Sequence, residues 1–396
     1  MPVVTSTRTG LVTKVRHNFT ADDDKPKIVS DGVKSGMTRR MEFRTNHEII
    51  RRARRNARGP VRDYLAGGSE SETAMRRNRF GLDSIALKPR VLRDVSEVDY
   101  ATTVMGHKSR MPVFLAPMAS LQLVTPAAAQ AVDDAAEEFG ILNMLSGHSQ
   151  PSLEEIAMNS LHPKVYQIYV RGGRDWLEEL LGRVKQNNYD ALAVTVDAAV
   201  YSNRERQMMA GWTPPTRKNS GGREYLAALN WDTWDEIRQI WGGPMILKGV
   251  SRPEDAEIGV QHGASVIYVS NHGGRQLDHD RATIQVLPEI VAAVNGRAEV
   301  FVDGGFMRGT DVIKAIALGA QAVGIGKLQA FALSAGGLAA LMDCLTILED
   351  EIRIAMGLLG VTSLDQLDPS YLAKTRPVNP AHEMSAFPHI PGGRLT

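Results

Sequence analysis

The sequence predicts an α/β protein: a (β/α)8 barrel with a helical extension before it and a proline-rich tail after it. Three observations carry that reading. From Met111 onward, eight short runs rich in Val, Ile and Leu recur, at 112–116, 141–145, 165–170, 191–196, 245–247, 266–269, 300–302 and 322–325. Longer amphipathic stretches follow most of them, as at 127–139, 176–184, 253–260 and 311–318, which is the pattern of βα units on a parallel sheet. The repeats fill roughly 250 residues, a length that favours a closed barrel over an open doubly wound sheet.

Residues 1–40 are rich in Thr, Lys, Arg and Asp and show no sustained periodicity, so they read as an extended or disordered arm. Residues 41–110 read as a helical lead-in. Nine arginines fall between Arg39 and Arg62 against Glu42 and Glu48. Asn46 is the expected cap of a helix with Ile49, Ile50, Ala53 and Ala57 on its apolar side, its arginines forming a solvated face. Gly59-Pro60 ends that helix, and residues 61–68 read as a second one stopped by glycine. The barrel is expected over 111–365. Residues 202–230, after the fourth run, interrupt the rhythm with Pro214-Pro215, Gly221-Gly222 and Trp212, and read as a lid-like loop or as plain disorder. A long last helix over 330–356 precedes a tail, 366–396, in which five prolines follow Asp368. That tail is expected to wrap a surface or a neighbouring subunit, or to be mobile.

Composition bounds the function. The 396 residues are 43% apolar and 23% charged, which is ordinary globular usage. A net charge of +1 gives no general reason to expect nucleic acid or an anionic membrane as partner. Cys344 is the only cysteine, so no disulfide within the chain and no Cys-rich metal site is expected. With no signal-peptide core and no run of about 18 apolar residues expected to span a membrane, a cytoplasmic location is the expectation.

In a barrel of this kind, chemistry gathers where the strands end. The first run is followed by Pro117, Met118 and Ala119, and the second by Ser146, Gly147 and His148. The third holds Gln167 and Tyr169, the fourth leads to Thr195 and Asp197, and the fifth to Lys248. The sixth runs into Ser270, Asn271, His272, Gly273, Gly274, Arg275 and Gln276; the seventh into Asp303, Gly304 and Gly305; the eighth into Gly326 and Lys327. Buried parallel strands seldom carry so many polar groups at matching positions for structure alone. The last two glycine-rich turns suggest a phosphate held by backbone N–H groups, with Lys327 and Arg308 adding charge. A lysine at the end of a buried strand, Lys248, suits an anion that develops on a cofactor.

These residues resemble the FMN-dependent α-hydroxy acid oxidases and dehydrogenases, which include glycolate and lactate oxidases. The resemblance covers 64–359, and its most specific motif is Ser270-Asn271-His272-Gly273-Gly274-Arg275-Gln276. Residues 61–68, Ala116-Pro117, Tyr169 after Gln167, Thr195-Val196-Asp197, Lys248-Gly249 and Asp303-Gly304-Gly305 support it. It implies FMN as cofactor and oxidation of an (S)-2-hydroxy acid to the 2-oxo acid. His272 would be the base, and Asp197 would orient it. Arg275 and Arg204 would grip the substrate carboxylate, Tyr64 would assist, Tyr169 would hydrogen-bond the hydroxyl or the developing carbonyl, and Lys248 would face the flavin N1/O2 region. A small hydroxy acid, an electron acceptor that is oxygen or another molecule, and a homo-oligomer, a tetramer in the family, are the implied partners.

Three positions depart from the family pattern. His148 stands where an aromatic residue, commonly Trp, faces the substrate. Met307 and Lys327 stand where arginines hold the FMN phosphate, which implies a weaker phosphate grip, partly restored by Arg308. The alternatives are a relative repurposed to oxidise a modified peptide or secondary metabolite, and a flavin-binding protein without catalysis.

Overall fold

The computed structural model describes residues 41–218, 221–378, 380–382, 384–387, 389 and 390, so the arm expected over 1–40 lies outside the described residues. Eight parallel strands close into a barrel in sequence order. They are β1 (Val113–Leu115), β2 (Asn143–Ser146), β3 (Lys164–Ile168), β4 (Ala191–Thr195), β5 (Met245–Val250), β6 (Val266–Val269), β7 (Glu299–Val302) and β8 (Ala322–Ile325). β6 and β8 coincide with the runs expected from sequence; elsewhere the ends move by a few residues.

The strands are apolar on both faces because each packs two layers. One set of side chains meets the outer helices, and the other fills the lumen with Phe114, Met144, Val165, Ile246, Tyr268 and Phe301. Phe114 packs against Phe301 and Tyr268 at ring separations of 5.0 and 5.3 Å. Space for these rings comes from Gly324, where a Cβ would approach the Tyr268 hydroxyl to 2.6 Å and Phe114 to 2.8 Å. The lumen is therefore solid, and ligands are confined to the strand ends.

The lead-in and the tail close over this barrel. The helix Asn46–Asn56 packs on the long helix Lys327–Leu359, but its cap is not Asn46. Thr45 and Glu48 form a reciprocal capping box, while Asn46 is buried within the first turn. The extended backbone of Thr45 lets its hydroxyl reach the third helical N–H, a role Asn46, already helical, cannot fill. Pro60 starts the second helix, Gly59–Ala66, as a first-turn proline does. The tail strand Leu372–Lys374 pairs antiparallel with Ile85–Leu87, and Met384, Phe387 and Ile390 are buried.

The expectation that no stretch is long and apolar enough for a membrane span needs amending. The helix Lys327–Leu359 passes on length and composition. Most of its apolar window is buried inside the protein, and Gly336 and Gly337 break its helical path. Within 202–230, the described part is folded into three short helices, Glu205–Met209, Pro215–Lys218 and Arg223–Ala228.

Candidate active site

His148, Tyr169, Lys248, His272, Asp303 and Lys327, at or just past strand ends, line one cavity at the C-terminal end of the barrel, which encloses about 1470 Å³ including its open mouth. His272 lies just past β6 with φ of 58°, a left-handed conformation costly for a residue with a Cβ. The two glycines after it also have positive φ, and a Cβ on Gly274 would meet the Met75 backbone at 2.4 Å. This turn brings the imidazole back over the barrel, where its Nδ1 lies 3.1 Å from both oxygens of Asp197. Asp197 lies against Gly249, at the point where β5 slips register with β6. A Cβ on Gly249, whose φ is 112°, would lie 2.7 Å from the Asp197 Cβ.

The second imidazole nitrogen, Nε2, stands 3.3 Å from the Tyr169 hydroxyl. Burial pushes the His272 pKa down, and the charges of Lys248 and Arg204 push the same way against Asp197. Burial alone would raise Asp197, but His272 and Lys248 outweigh it and hold its carboxyl below the ordinary range. At neutral pH the pair is thus a carboxylate and a neutral imidazole. Nδ1–H donates to Asp197, so Nε2 is the acceptor nitrogen, facing the Tyr169 hydroxyl. Burial, then the Asp197 charge, push the Tyr169 phenol far up, so it stays a donor. His148 stacks on Tyr169 at 4.8 Å, and burial pushes its pKa down to about 3, so it is a neutral wall of the cavity.

Facing this base are guanidinium groups. Arg275 donates to the carbonyls of Tyr64 and Gly67 at 2.6 and 2.9 Å and lies over the Tyr64 ring. Tyr64 in turn donates to the Ala119 carbonyl. Arg204 donates to the Arg275 carbonyl at 3.4 Å, and its Nε is buried without a partner. Burial and the neighbouring Arg275 push Arg204 down to about 10. Two like charges buried side by side suit an anion that comes from outside.

The other end is built from backbone. Pro117, Met118, Ala119, Gly304, Gly305, Gly326 and Lys327 line it, with Asp303 and Lys248. Lys248 donates to Ser270 and lies over the Tyr268 ring, whose hydroxyl donates to Asp303. One oxygen of Asp303 is buried without a partner. Gly304 has φ of 104° and Gly305 of 85°; a Cβ on Gly304 would meet the Thr283 hydroxyl at 2.7 Å. Ser146, Gln167, Thr195 and Ser270 do not line the cavity. They lie buried at its base, where Ser146 accepts from the His148 N–H, Gln167 donates to Thr195, and Ser270 accepts from the His272 N–H.

Arg308 is a correction. It is absent from the cavity lining and turns to the tail, pairing with Glu351 at 2.5 Å and stacking on Phe387 at 4.6 Å. Its side chain leaves the strand end because Glu351 and the tail are nearer partners. Sequence reasoning missed Arg79, Arg171, Tyr201 and Arg217, which do line the cavity. Arg171 had a signal: it is two residues past Tyr169, hence on the same side of an extended chain. Arg79 and Arg217 come from the lead-in and the 202–230 loop and had none.

The glycine cradle, the half-satisfied Asp303 and the volume of the cavity fit a group of the size and polarity of FMN beside a small acid. Comparison with known proteins agrees. A sequence profile described as FMN-dependent dehydrogenase matches residues 53–374. An L-lactate oxidase of Nostoc is 39% identical over 78% of this chain and 92% of its own length. A glycolate oxidase of Spinacia oleracea is 36% identical over 84% and 96%. The crystal structure of a mandelate oxidase with (S)-4-hydroxymandelic acid superposes with a TM-score of 0.79 at 34% identity, covering 85% of this chain and all of that one. On the strength of the barrel, the strand-end constellation and these likenesses, the chain belongs to the FMN-dependent dehydrogenase family and is an FMN-dependent oxidoreductase that acts on CH–OH groups.

Proposed function

We propose that this protein oxidises an (S)-2-hydroxy acid to the corresponding 2-oxo acid, with His272 as the base. One observation supports this best: a neutral imidazole held between Asp197 and Tyr169 faces two guanidiniums across one cavity. Arg204 and Arg275 bind the substrate carboxylate, each offering a planar fork of donors that matches it. Tyr169, protonated, donates to the substrate hydroxyl and orients it towards Nε2 of His272. His272 takes a proton from the substrate, and Asp197 stabilises the imidazolium that results. FMN, when bound, accepts the two electrons. Lys248, buried at the end of β5, would balance negative charge on the bound cofactor, and the glycine turns and Lys327 would hold its phosphate end. His148 shapes the substrate side without charge, so His148→Phe is expected to reorder substrate preference; an unchanged ranking removes that role.

The test is anaerobic addition of aliphatic and aromatic 2-hydroxy acids while the visible flavin band is followed. Bleaching by a member of the panel in the wild type, and its loss in His272→Ala with FMN still bound, is the expected result. A band that no hydroxy acid bleaches overturns the proposal and favours the reading as a relative repurposed for a larger substrate.

A further inference from the structure

The lead-in helix Thr73–Asp83 puts an arginine into the cavity wall at the glycine turns. Arg79 lines the cavity with Gly304, Gly305, Phe306 and Met307, and its side chain is only 4% exposed. Its Nε donates to Asp83 at 2.9 Å. One terminal nitrogen donates to the Gly305 carbonyl at 3.0 Å and to Asp311 at 2.7 Å, and the other to Asp83 at 2.6 Å and to Asp311 at 2.9 Å. These bonds use every donor a guanidinium has, so Arg79 keeps none for a ligand. What it holds is the turn.

The main chain of that turn is gripped through both kinds of polar group. Arg79 takes the Gly305 carbonyl, while Asp311, itself held by Arg79, accepts from the N–H groups of Met307 and Arg308 at 3.0 and 3.1 Å. A trans peptide is planar, so fixing the Gly305 carbonyl also fixes the direction of the Phe306 N–H opposite it. The turn sits close on the same helix: a Cβ on Gly304 would lie 3.0 Å from the Asn78 amide nitrogen, and one on Gly305 3.2 Å from the Asn78 Cβ. Charge matters as well. Burial alone would lower Arg79, but Asp311 and Asp83 outweigh it; burial alone would raise Asp311, but Arg79 outweighs it, so the pair stays charged. Without Arg79, two carboxylates would stand behind the turn with Lys314 as the cation facing them, and they would repel an anion held there. The side chains that follow cannot replace it, since Met307 is neutral and Arg308 pairs with Glu351.

We propose that Arg79 is the positioning residue for the phosphate end of FMN: without touching the phosphate, it sets the main chain of 304–306 to receive it and cancels the carboxylates behind that main chain. The inference rests on the reading above that the glycine turns hold the phosphate, and adds to it the side chain on which that grip depends.

The test is fluorescence titration of the full-length protein, stripped of flavin, with FMN and with riboflavin, which share the ring system and differ in the phosphate. The wild type is expected to bind FMN the more tightly. Arg79→Met should cut that preference about tenfold or more, the size of a charge-assisted contact, and leave riboflavin affinity unchanged. Arg79→Lys keeps a charge but lacks the fork that spans Asp83, Asp311 and the Gly305 carbonyl. It should cut the preference by a smaller factor, and it stands alone if Arg79→Met does not fold. A preference for FMN that the folded variants keep, with both flavins weakened alike or neither weakened, overturns the proposal, because an arginine that only stabilises the fold affects the two flavins equally. A wild type that binds both flavins equally strikes the reading of the glycine turns, and Arg79 with it. Binding is read without turnover, so failure of every hydroxy acid to bleach the flavin would strike the proposed reaction and leave this result standing.

Discussion

The two ends of the cavity are built on different principles. At the His272 end, the proposed function rests on side chains held by close neighbours: Asp197 against the bulge at Gly249, Tyr169 stacked on His148, Arg275 on the carbonyls of Tyr64 and Gly67. At the Gly304–Gly305 end it rests on main chain opened by positive φ, with Lys327 as the cation in the lining nearest in sequence to the eighth strand. A proton transfer needs one atom at one place with one pKa, so it cannot be shared out. Holding an anion by several N–H groups can be, and loss of one contact there is diluted among the rest.

The contrast is sharpest in His272→Ala, where flavin reduction should fall by about 10²–10⁴-fold while FMN stays bound; unimpaired reduction in stopped flow would remove the base. Asp311→Asn tests a third kind of contact, the buried support that Arg79 receives from Asp311 at 2.7 Å beneath the Gly305 carbonyl. Breaking that buried pair should cost about 3–5 kcal/mol of stability, read as a lowered denaturant midpoint; an unchanged midpoint would mean the pair contributes nothing. Arg204→Lys keeps the charge but loses the fork, and should lower kcat/KM about tenfold, chiefly through KM. A fall confined to kcat would place Arg204 elsewhere in the reaction. Lys327→Met should have the smallest effect, about tenfold weaker FMN retention on dialysis at high salt. If it stripped the flavin completely, the main chain would not be sharing the load.

The pH profile separates the ends further. His272 must be neutral to accept a proton, and its pKa is pushed below its ordinary value by burial. Activity should therefore be present at neutral pH and fall as pH drops through that lowered pKa, with an acid limb below about 6.5. Asp197→Asn removes the group that raises it, so the limb should move to still lower pH as the rate falls. A limb moving upward would contradict the assignment of Asp197 as the partner anion.

Much of this was legible in the chain. Val266 to Val269 gave its strand by composition, and the polar run from Ser270 to Gln276 announced the end of it. The paired glycines at 273–274 and 304–305 announced turns that only residues without a Cβ make cheaply. What stayed hidden was contact between distant segments. Arg308, beside a glycine turn, looked like a phosphate ligand until Glu351 and Phe387 arrived from the last helix and the tail. Asn46 looked like a cap until Thr45 and Glu48 closed on each other.

The sequence by itself thus determined the barrel and the order of its strands, and set the proposed base and the arginines proposed to bind the carboxylate just past strand ends, because periodicity and turn chemistry are local properties. Tertiary structure alone decided that Arg79 reaches the cavity from the lead-in, that Arg171 and Arg217 converge on Tyr201, and that burial keeps His148 and His272 neutral. The physical reason is the same in each case: a side chain's direction and protonation depend on which charges and rings pack against it, and those arrive from parts of the chain that local pattern does not connect.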